Sequence, residues 1–225
     1  KNLWHLSHEG LDLEDPANEP DLDKDKFLEM SVSPYKAPDV ATEISVDFEA
    51  GVPVAVNGEK MKVSKIIAKL NELGGANGIG ILDIVENRLI GMKDHGIYET
   101  PGGTILYFAH EQLEMLTLDK ETAHMKSKLA VDYADLIYNG KWFSPLAEAL
   151  TAFAKKANEN CTGTVKLKLY KGNMINAGIT SPNSLYSEEL VTFGESDFDQ
   201  AQAAGFINIW GLPTKVQSLL KSGKL

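Results

Sequence analysis

Two side chains, Glu86 and Tyr98, have the type and the surroundings expected of groups that bind a small polar ligand. Glu86 directly follows the apolar run Ile79–Val85, which predicts a buried strand entered through glycines. A carboxylate at the end of such a strand raises the free energy of the fold unless a cation or several donors meet it. Arg88 is a candidate cation, so Glu86 is predicted either to pair with Arg88 or to bind a ligand. Tyr98 either fills core space or lines a pocket.

Patterns that would bind a metal ion are weak in this sequence. The acidic run Asp21–Asp25 resembles the opening of a calcium-binding loop, but Lys26 stands where the turn glycine belongs. His5 and His8, next to Glu9, have no further ligand cluster nearby. We therefore predict no metal site, and we interpret these residues as a solvated acidic loop and as loop histidines.

Motifs for nucleotide binding and for hydrolytic catalysis are absent from the sequence. The chain contains no P-loop and no GxSxG motif. Its glycine-rich run GGANGIG, residues 74–80, follows a predicted helix and precedes a predicted strand. A dinucleotide fingerprint lies in the opposite order, between a strand and the helix after it. The sequence therefore predicts no Rossmann-type site.

The spacing of apolar residues predicts an α+β fold with a mixed or antiparallel sheet and packed helices. Alternation over Glu43–Phe48 and over Val52–Val56 predicts an antiparallel hairpin. Helical spacing over Val63–Leu73 predicts a helix that ends at Gly74 and Gly75, because glycine readily adopts the left-handed cap conformation. The acid-rich stretch Gly10–Asp25 predicts an exposed loop.

The second half of the chain continues this pattern. We predict two helices over residues 105–116 and 125–137, a third opened by Ser144 and Pro145 that runs to about Asn158, and a hairpin that joins residues 164–170 to 174–180. The last 25 residues carry several large apolar side chains near the end of the chain, among them Phe206 and Trp210. Such a segment needs a surface to dock on, either its own core or a neighbouring subunit.

Composition narrows the class of protein. The 225 residues have a net charge of −10, which disfavours nucleic acid as a partner. No apolar run approaches the ~20 residues needed to span a bilayer, so we predict no membrane segment. Cys161 is the only cysteine, which is consistent with a reducing compartment, and we expect the cytoplasm.

The run DIVENRLIGMKDHGIYETPGGTIL, Asp83 to Leu106, strongly resembles the signature of argininosuccinate synthases. NLWHLSHEG at the start, KAPD and GVPVAVNG, then SPNSLYSEEL and GFINI follow in the family's order. The resemblance covers essentially the whole chain. It departs from the family's pattern at Ile81, where many members have Arg, and at Asp94 and His95, which replace a common Ser-Arg pair.

The resemblance implies a reaction, and it implies that ATP binds to a part of the enzyme other than this chain. The family condenses L-citrulline with L-aspartate, using ATP as Mg-ATP, to give argininosuccinate, AMP and pyrophosphate. The family's ATP site is an SGGLD-type loop that this sequence lacks, so the resemblance implies that the chain is the portion after the nucleotide domain. We expect this chain alone to bind no ATP and to be inactive.

The resemblance also implies which residues bind the substrate. Ser7, Glu86 and Tyr98 correspond to citrulline contacts of the family, and none of them is implied to be a general acid or base. It further implies a citrulline-binding domain over residues 1–200 and an oligomerisation arm over residues 201–225 in a homotetramer. The alternative is a stand-alone citrulline-binding or assembly module without catalytic activity.

Overall fold

The computed structural model describes residues 1–191 and 199–225. The chain divides into two compact units, Lys1–Leu185 and Tyr186–Leu225. These units are defined by contacts alone, and the functional division predicted at residue 200 stays a prediction.

In the first unit, groups of consecutive strands are separated by helices, and the elements described in the second unit are helices. The strands are β1 (Leu6–Glu9), β2 (Thr42–Glu49), β3 (Val52–Val56), β4 (Glu59–Lys60), β5 (Ile81–Asn87), β6 (Lys93–Glu99), β7 (Gly163–Tyr170) and β8 (Asn173–Thr180). The helices are α1 (Val63–Ala76), α2 (Pro101–Thr117), α3 (Lys120–Tyr138), α4 (Pro145–Ala157), α5 (Glu188–Val191), α6 (Gln202–Trp210) and α7 (Leu212–Lys221), with a 3₁₀ turn at Leu11–Glu14. None of the helices described is long and apolar enough to cross a membrane.

The core of the first unit lies between a five-stranded sheet and two helices. The strands pair in the order β4-β3-β2-β7-β8, and every ladder is antiparallel. Alternate residues of β2 and β7 are buried, as the period of two predicts, and they meet the apolar faces of α1 and α2. The largest of these buried side chains include Phe48, Leu70, Ile105, Leu113 and Leu167.

Several predicted elements are confirmed. The hairpin of β2 with β3 forms, with an irregular register between Asp47 and Phe48, and β7 pairs with β8. Helix α4 begins after Ser144, whose hydroxyl accepts a hydrogen bond from the Ala147 amide, as its Ser-Pro start predicts. Helices α2 and α3 occupy the two predicted stretches. The fold is α+β with antiparallel sheets, as expected.

The predicted end of α1 at Gly74 is wrong. The helix continues through Gly74 and Gly75 to Ala76, and both glycines are buried within it. A Cβ at Gly75 would collide with the carbonyl oxygen of Met30, and one at Gly74 would lie 2.8 Å from the Cδ1 atom of Ile105. The two glycines therefore allow close packing of the helix and do not terminate it.

The second sheet contains three strands in the order β1-β6-β5. The prediction of a buried strand over Ile79–Val85 is only partly right. Ile79 is buried, but the strand begins at Ile81 and lies at the edge of its sheet, where Leu82 and Val85 are 54% and 48% exposed. An apolar run by itself does not distinguish a central strand from an edge strand.

The second unit presents an apolar surface. Helices α6 and α7 contain no buried residue, and the rings of Phe206 and Trp210 stack with centroids 5.6 Å apart. Trp210 is 76% exposed. Exposure of this kind is typical of a surface that docks on another molecule.

The position of Gly75 leads to a prediction about stability. Gly75→Ala would normally favour a helix, but here the added methyl group collides with the Met30 carbonyl, so we expect unfolding free energy to fall by about 1–3 kcal/mol. Gly205→Ala in α6 is the matched control, because no atom lies within 4 Å of the new methyl group. Chemical denaturation monitored by circular dichroism measures both variants. An equal or higher stability of Gly75→Ala would contradict the close-packing role.

Candidate functional site

Strand register places Ser7, Tyr98 and Glu86 on one face of the three-stranded sheet. Ser7 on β1 lies opposite Tyr98 on β6, and Tyr98 lies opposite Leu82 on β5. Residues two and four apart along a strand share a face, so Glu86 lies on the same side as Leu82. Ser7, Glu86 and Tyr98 therefore share one side of the sheet, although up to 91 positions separate them in the sequence. We refer to this side of the sheet as the site face.

A hydrogen bond joins two of these residues. The Tyr98 hydroxyl donates to the Glu86 carboxylate at 2.9 Å. Gly96 makes this reach possible, because a Cβ there would lie 3.2 Å from the Cε2 atom of Tyr98. Burial and the hydrogen bond to Glu86 together raise the pKa of the Tyr98 phenol, so the phenol stays protonated and donates. Ser7 is exposed on the neighbouring strand.

Arg88 does not pair with Glu86, so the structural role suggested for that pair is wrong. Its Nη2 atom instead contacts Glu9 at 2.9 Å and Asp94 at 2.7 Å. The hydrogen bond to Asp94 is the main reason that the pKa of Arg88 is raised. Within residues 1–191 and 199–225, no cationic side chain lies at ion-pair distance from Glu86. Glu86 is thus the carboxylate of this face that is left for an external cation.

The three carboxylates of the site face lie close together. One oxygen each from Glu9, Glu86 and Asp94 falls within 4.8 Å of the others. Arg88 neutralises two of them through its hydrogen bonds. This cluster consists of exposed and half-exposed acids that already hold a cation, and it differs from the His5, His8 and Glu9 pattern considered in the sequence.

The opposite face of the sheet holds a buried carboxylate that sequence analysis missed. Glu99 is fully buried and accepts hydrogen bonds from the amides of Glu29, Met30 and Ser31 at 2.7–2.9 Å. The His8 Nε2 atom lies 2.8 Å from the same carboxylate. His8 therefore serves a structural pair on this face. The alternation of β6 was the available signal, because it places Glu99 on the face opposite Tyr98.

Glu86 and Glu99 should differ sharply in their contribution to stability. Glu99→Gln would set an amide against backbone donors in a buried place, so we expect a loss of about 3–5 kcal/mol. Glu86→Gln keeps an acceptor for Tyr98 and breaks no ion pair among the described residues, so a change below about 1 kcal/mol is expected. Thermal and urea denaturation of both variants test this contrast. A loss at Glu86→Gln as large as at Glu99→Gln would show that Glu86 is a structural acid.

Comparisons with known proteins identify the family of the chain. The family model described as "Arginosuccinate synthase C-terminal domain" matches residues 1–217. An argininosuccinate synthase of Clostridium botulinum (strain Alaska E43) is 59% identical over 230 residues, covering 100% of this chain and 56% of the relative. That of Acetivibrio thermocellus is 58% identical, covering 98% of this chain and 54% of the relative. The chain spans about half the length of the curated relatives it matches, and it belongs to the argininosuccinate synthase family, whose C-terminal domain it represents.

Proposed function

We propose that this chain is the citrulline-binding and subunit-assembling part of an argininosuccinate synthase, a ligase of arginine biosynthesis. The reaction condenses L-citrulline with L-aspartate at the expense of ATP and yields argininosuccinate, AMP and pyrophosphate. The observation that carries the proposal is Glu86: it has no cation partner among the described residues, and it is hydrogen-bonded to Tyr98 on the face that also presents Ser7.

The chemistry of citrulline fits these three groups. Its α-ammonium has three donors and one positive charge, which match the Glu86 carboxylate. The Tyr98 hydroxyl already donates to Glu86, so its lone pairs remain to accept from the same ammonium. The exposed hydroxyl of Ser7 can donate to the substrate carboxylate or accept from its nitrogen atoms. Arg88 keeps Glu9 and Asp94 occupied, so the ammonium is directed to Glu86.

The role of these residues in the reaction is to bind and orient. In the proposed sequence ATP, supplied as Mg-ATP, activates the ureido oxygen of citrulline, and the aspartate amine then displaces AMP. Holding the reactants in line can lower the barrier by several kcal/mol through proximity, up to ~7–11 kcal/mol in favourable cases. We propose that aspartate and ATP bind mainly to the other half of the enzyme. We also propose that the enzyme works in the cytoplasm.

Glu86→Gln tests the proposed site directly. A chimera of the amino-terminal half of the Clostridium botulinum relative with this chain provides an enzyme in which to measure it. A charge-assisted hydrogen bond contributes roughly 1.5–3 kcal/mol, so kcat/KM for citrulline should fall about 10- to 150-fold while the KM for ATP stays nearly constant. Tyr98→Phe should cost less, because only one hydroxyl is removed.

Two controls define the baseline of this experiment. Glu72→Gln on α1 removes an exposed charge that pairs with Lys69 on the same helix at 3.4 Å, outside the three strands of the site face, and should leave all kinetic constants unchanged. The 225-residue chain alone should release no citrulline-dependent pyrophosphate, which measures the background of the assay. An unaltered citrulline KM and kcat in Glu86→Gln would remove Glu86 from the site.

We also propose that the second unit joins subunits into a homo-oligomer, a tetramer in the assembled enzyme. Phe206, Ile209 and Trp210 are exposed in the chain, and each contributes about 1.5–3 kcal/mol when fully buried. Three such side chains at each contact offset much of the cost of association.

Replacing these three side chains with serine should lower the oligomer mass, because the apolar contact is removed. Light scattering at several protein concentrations measures the mass. Lys221→Gln with Lys224→Gln is the control, since both side chains are exposed and polar. If the triple variant keeps the wild-type mass with unchanged helix content, subunit contacts lie elsewhere on the chain.

A further inference from the structure

His95 lies between two acceptors on the face of the sheet opposite the site face. Its Nδ1 atom is 2.6 Å from the carbonyl oxygen of Leu13, and its Nε2 atom is 2.7 Å from the Oδ1 atom of Asp83. The side chain is 7% exposed, whereas that of Asp83 is 49% exposed. His95 thus links the 3₁₀ turn that follows β1 to strand β5, across β6 on which it stands.

These two contacts determine the protonation state of the ring. A neutral imidazole has one N–H donor and one nitrogen lone pair, whereas a backbone carbonyl and a carboxylate can only accept. The neutral ring would therefore set a lone pair against an oxygen atom at hydrogen-bond distance. Both contacts are satisfied only when His95 carries a proton on each nitrogen and is an imidazolium.

The charges around His95 favour the same state. Strand β5 presents Asp83 and β6 presents Asp94, and both act on the ring electrostatically. Lys93, two residues away on β6, is an exposed cation. In the 3₁₀ turn, the residues on either side of Leu13 are Asp12 and Glu14.

The acidic loop adds further negative charge near the salt bridge. Glu19, Asp21 and Asp23 line a cavity of about 500 Å³ together with Asp83. Asp23 is partly neutralised by Lys36 at 3.2 Å. The hydrogen bond to Asp83, followed by that to the Leu13 carbonyl, raises the pKa of His95 against the effect of burial.

We propose that His95 is a positioning residue which, protonated on both ring nitrogens at neutral pH, holds β5 and the turn after β1 in place on either side of β6. Glu86 lies on β5 and Ser7 lies on β1, so this link sets the spacing between the two edges of the site face. The consequence for citrulline rests on the proposed function, whereas the protonation state and the link do not.

The direction of the pH dependence follows from the raised pKa. The link is fully present below the ordinary histidine pKa of ~6.5 and is lost as pH rises through the higher value in the folded chain. The turn at Leu13 should therefore become less ordered, and the spacing of the site face less fixed, as pH rises above that value. Acidification toward pH 6 should leave both unchanged.

Nuclear magnetic resonance of the 15N-labelled 225-residue chain tests the link without a ligand. We expect the His95 ring to show two protonated nitrogens at pH 7 and to lose one at a pH above the ordinary range. Amide shifts and hydrogen exchange from Ser7 to Leu13 should follow that titration. Asp83→Asn should move the titration to lower pH. A neutral His95 tautomer at pH 6.5, or amides that do not follow the ring, would overturn the proposal.

A variant pair separates positioning from folding. His95→Gln is neutral at every pH and should remove the alkaline-side step, the one that follows the His95 ring, from the shifts of Ser7 to Leu13, whereas His124→Gln on α3 should keep the wild-type profile. In the chimeric enzyme, the citrulline KM of the wild type should rise about fivefold across the titration, with a flat profile in His95→Gln. Absence of citrulline turnover at any pH would count against the proposed function and leave the magnetic resonance result standing. Turnover with a wild-type profile in His95→Gln would overturn the positioning role.

Discussion

The arrangement of the site depends on the hydrogen bonds that the buried carboxylate of Glu99 accepts. An isolated charge in such a place would cost many kcal/mol in desolvation. Three backbone amides and His8 surround it instead, and these hydrogen bonds offset the cost of burying the carboxylate. The loop at residues 29–31 and strand β1 are thereby held to β6. Tyr98, the residue before Glu99, takes its position from that anchored strand.

The two faces of this small sheet separate the stabilising contacts of its charged groups from the proposed binding site. On the face opposite the site face, the charged groups have partners. Glu99 has its four donors, and His95 has Asp83 and the Leu13 carbonyl. On the site face, Arg88 pairs with Glu9 and Asp94, while Glu86 receives, from the part of the chain that the structure describes, only the neutral hydroxyl of Tyr98. Because side chains alternate along a strand, neighbouring residues can perform these different tasks without interfering.

Local patterns predicted most elements, since the periods of two and 3.6 reflect burial on one face. They failed where a distant contact decides the outcome. Gly74 and Gly75 have the chemistry of a helix end, but the approach of Met30 and Ile105 requires glycine inside the helix. Arg88 is two residues from Glu86, yet strand register brings it to Glu9 and Asp94. The resemblance indicated Ser7, Glu86 and Tyr98 but not Gly96, Glu99 or His95, whose roles depend on which strands are neighbours.

The unequal pairing of the three clustered acids has an electrostatic consequence. Like charges within about 5 Å repel one another. In a cluster of three carboxylates and one cation, this repulsion still raises the free energy of the carboxylate that the cation does not contact. Arg88 removes this cost for Glu9 and Asp94 and leaves it at Glu86. The half-buried carboxylate of Glu86 has one hydroxyl partner within residues 1–191 and 199–225, so it has the most to gain from a cation. An incoming ammonium therefore relieves repulsion as well as forming a hydrogen bond, whereas a neutral analogue gains only the bond. In the proposed site, a preference for an ammonium at Glu86 would thus come partly from Glu9 and Asp94, which need not touch the ligand.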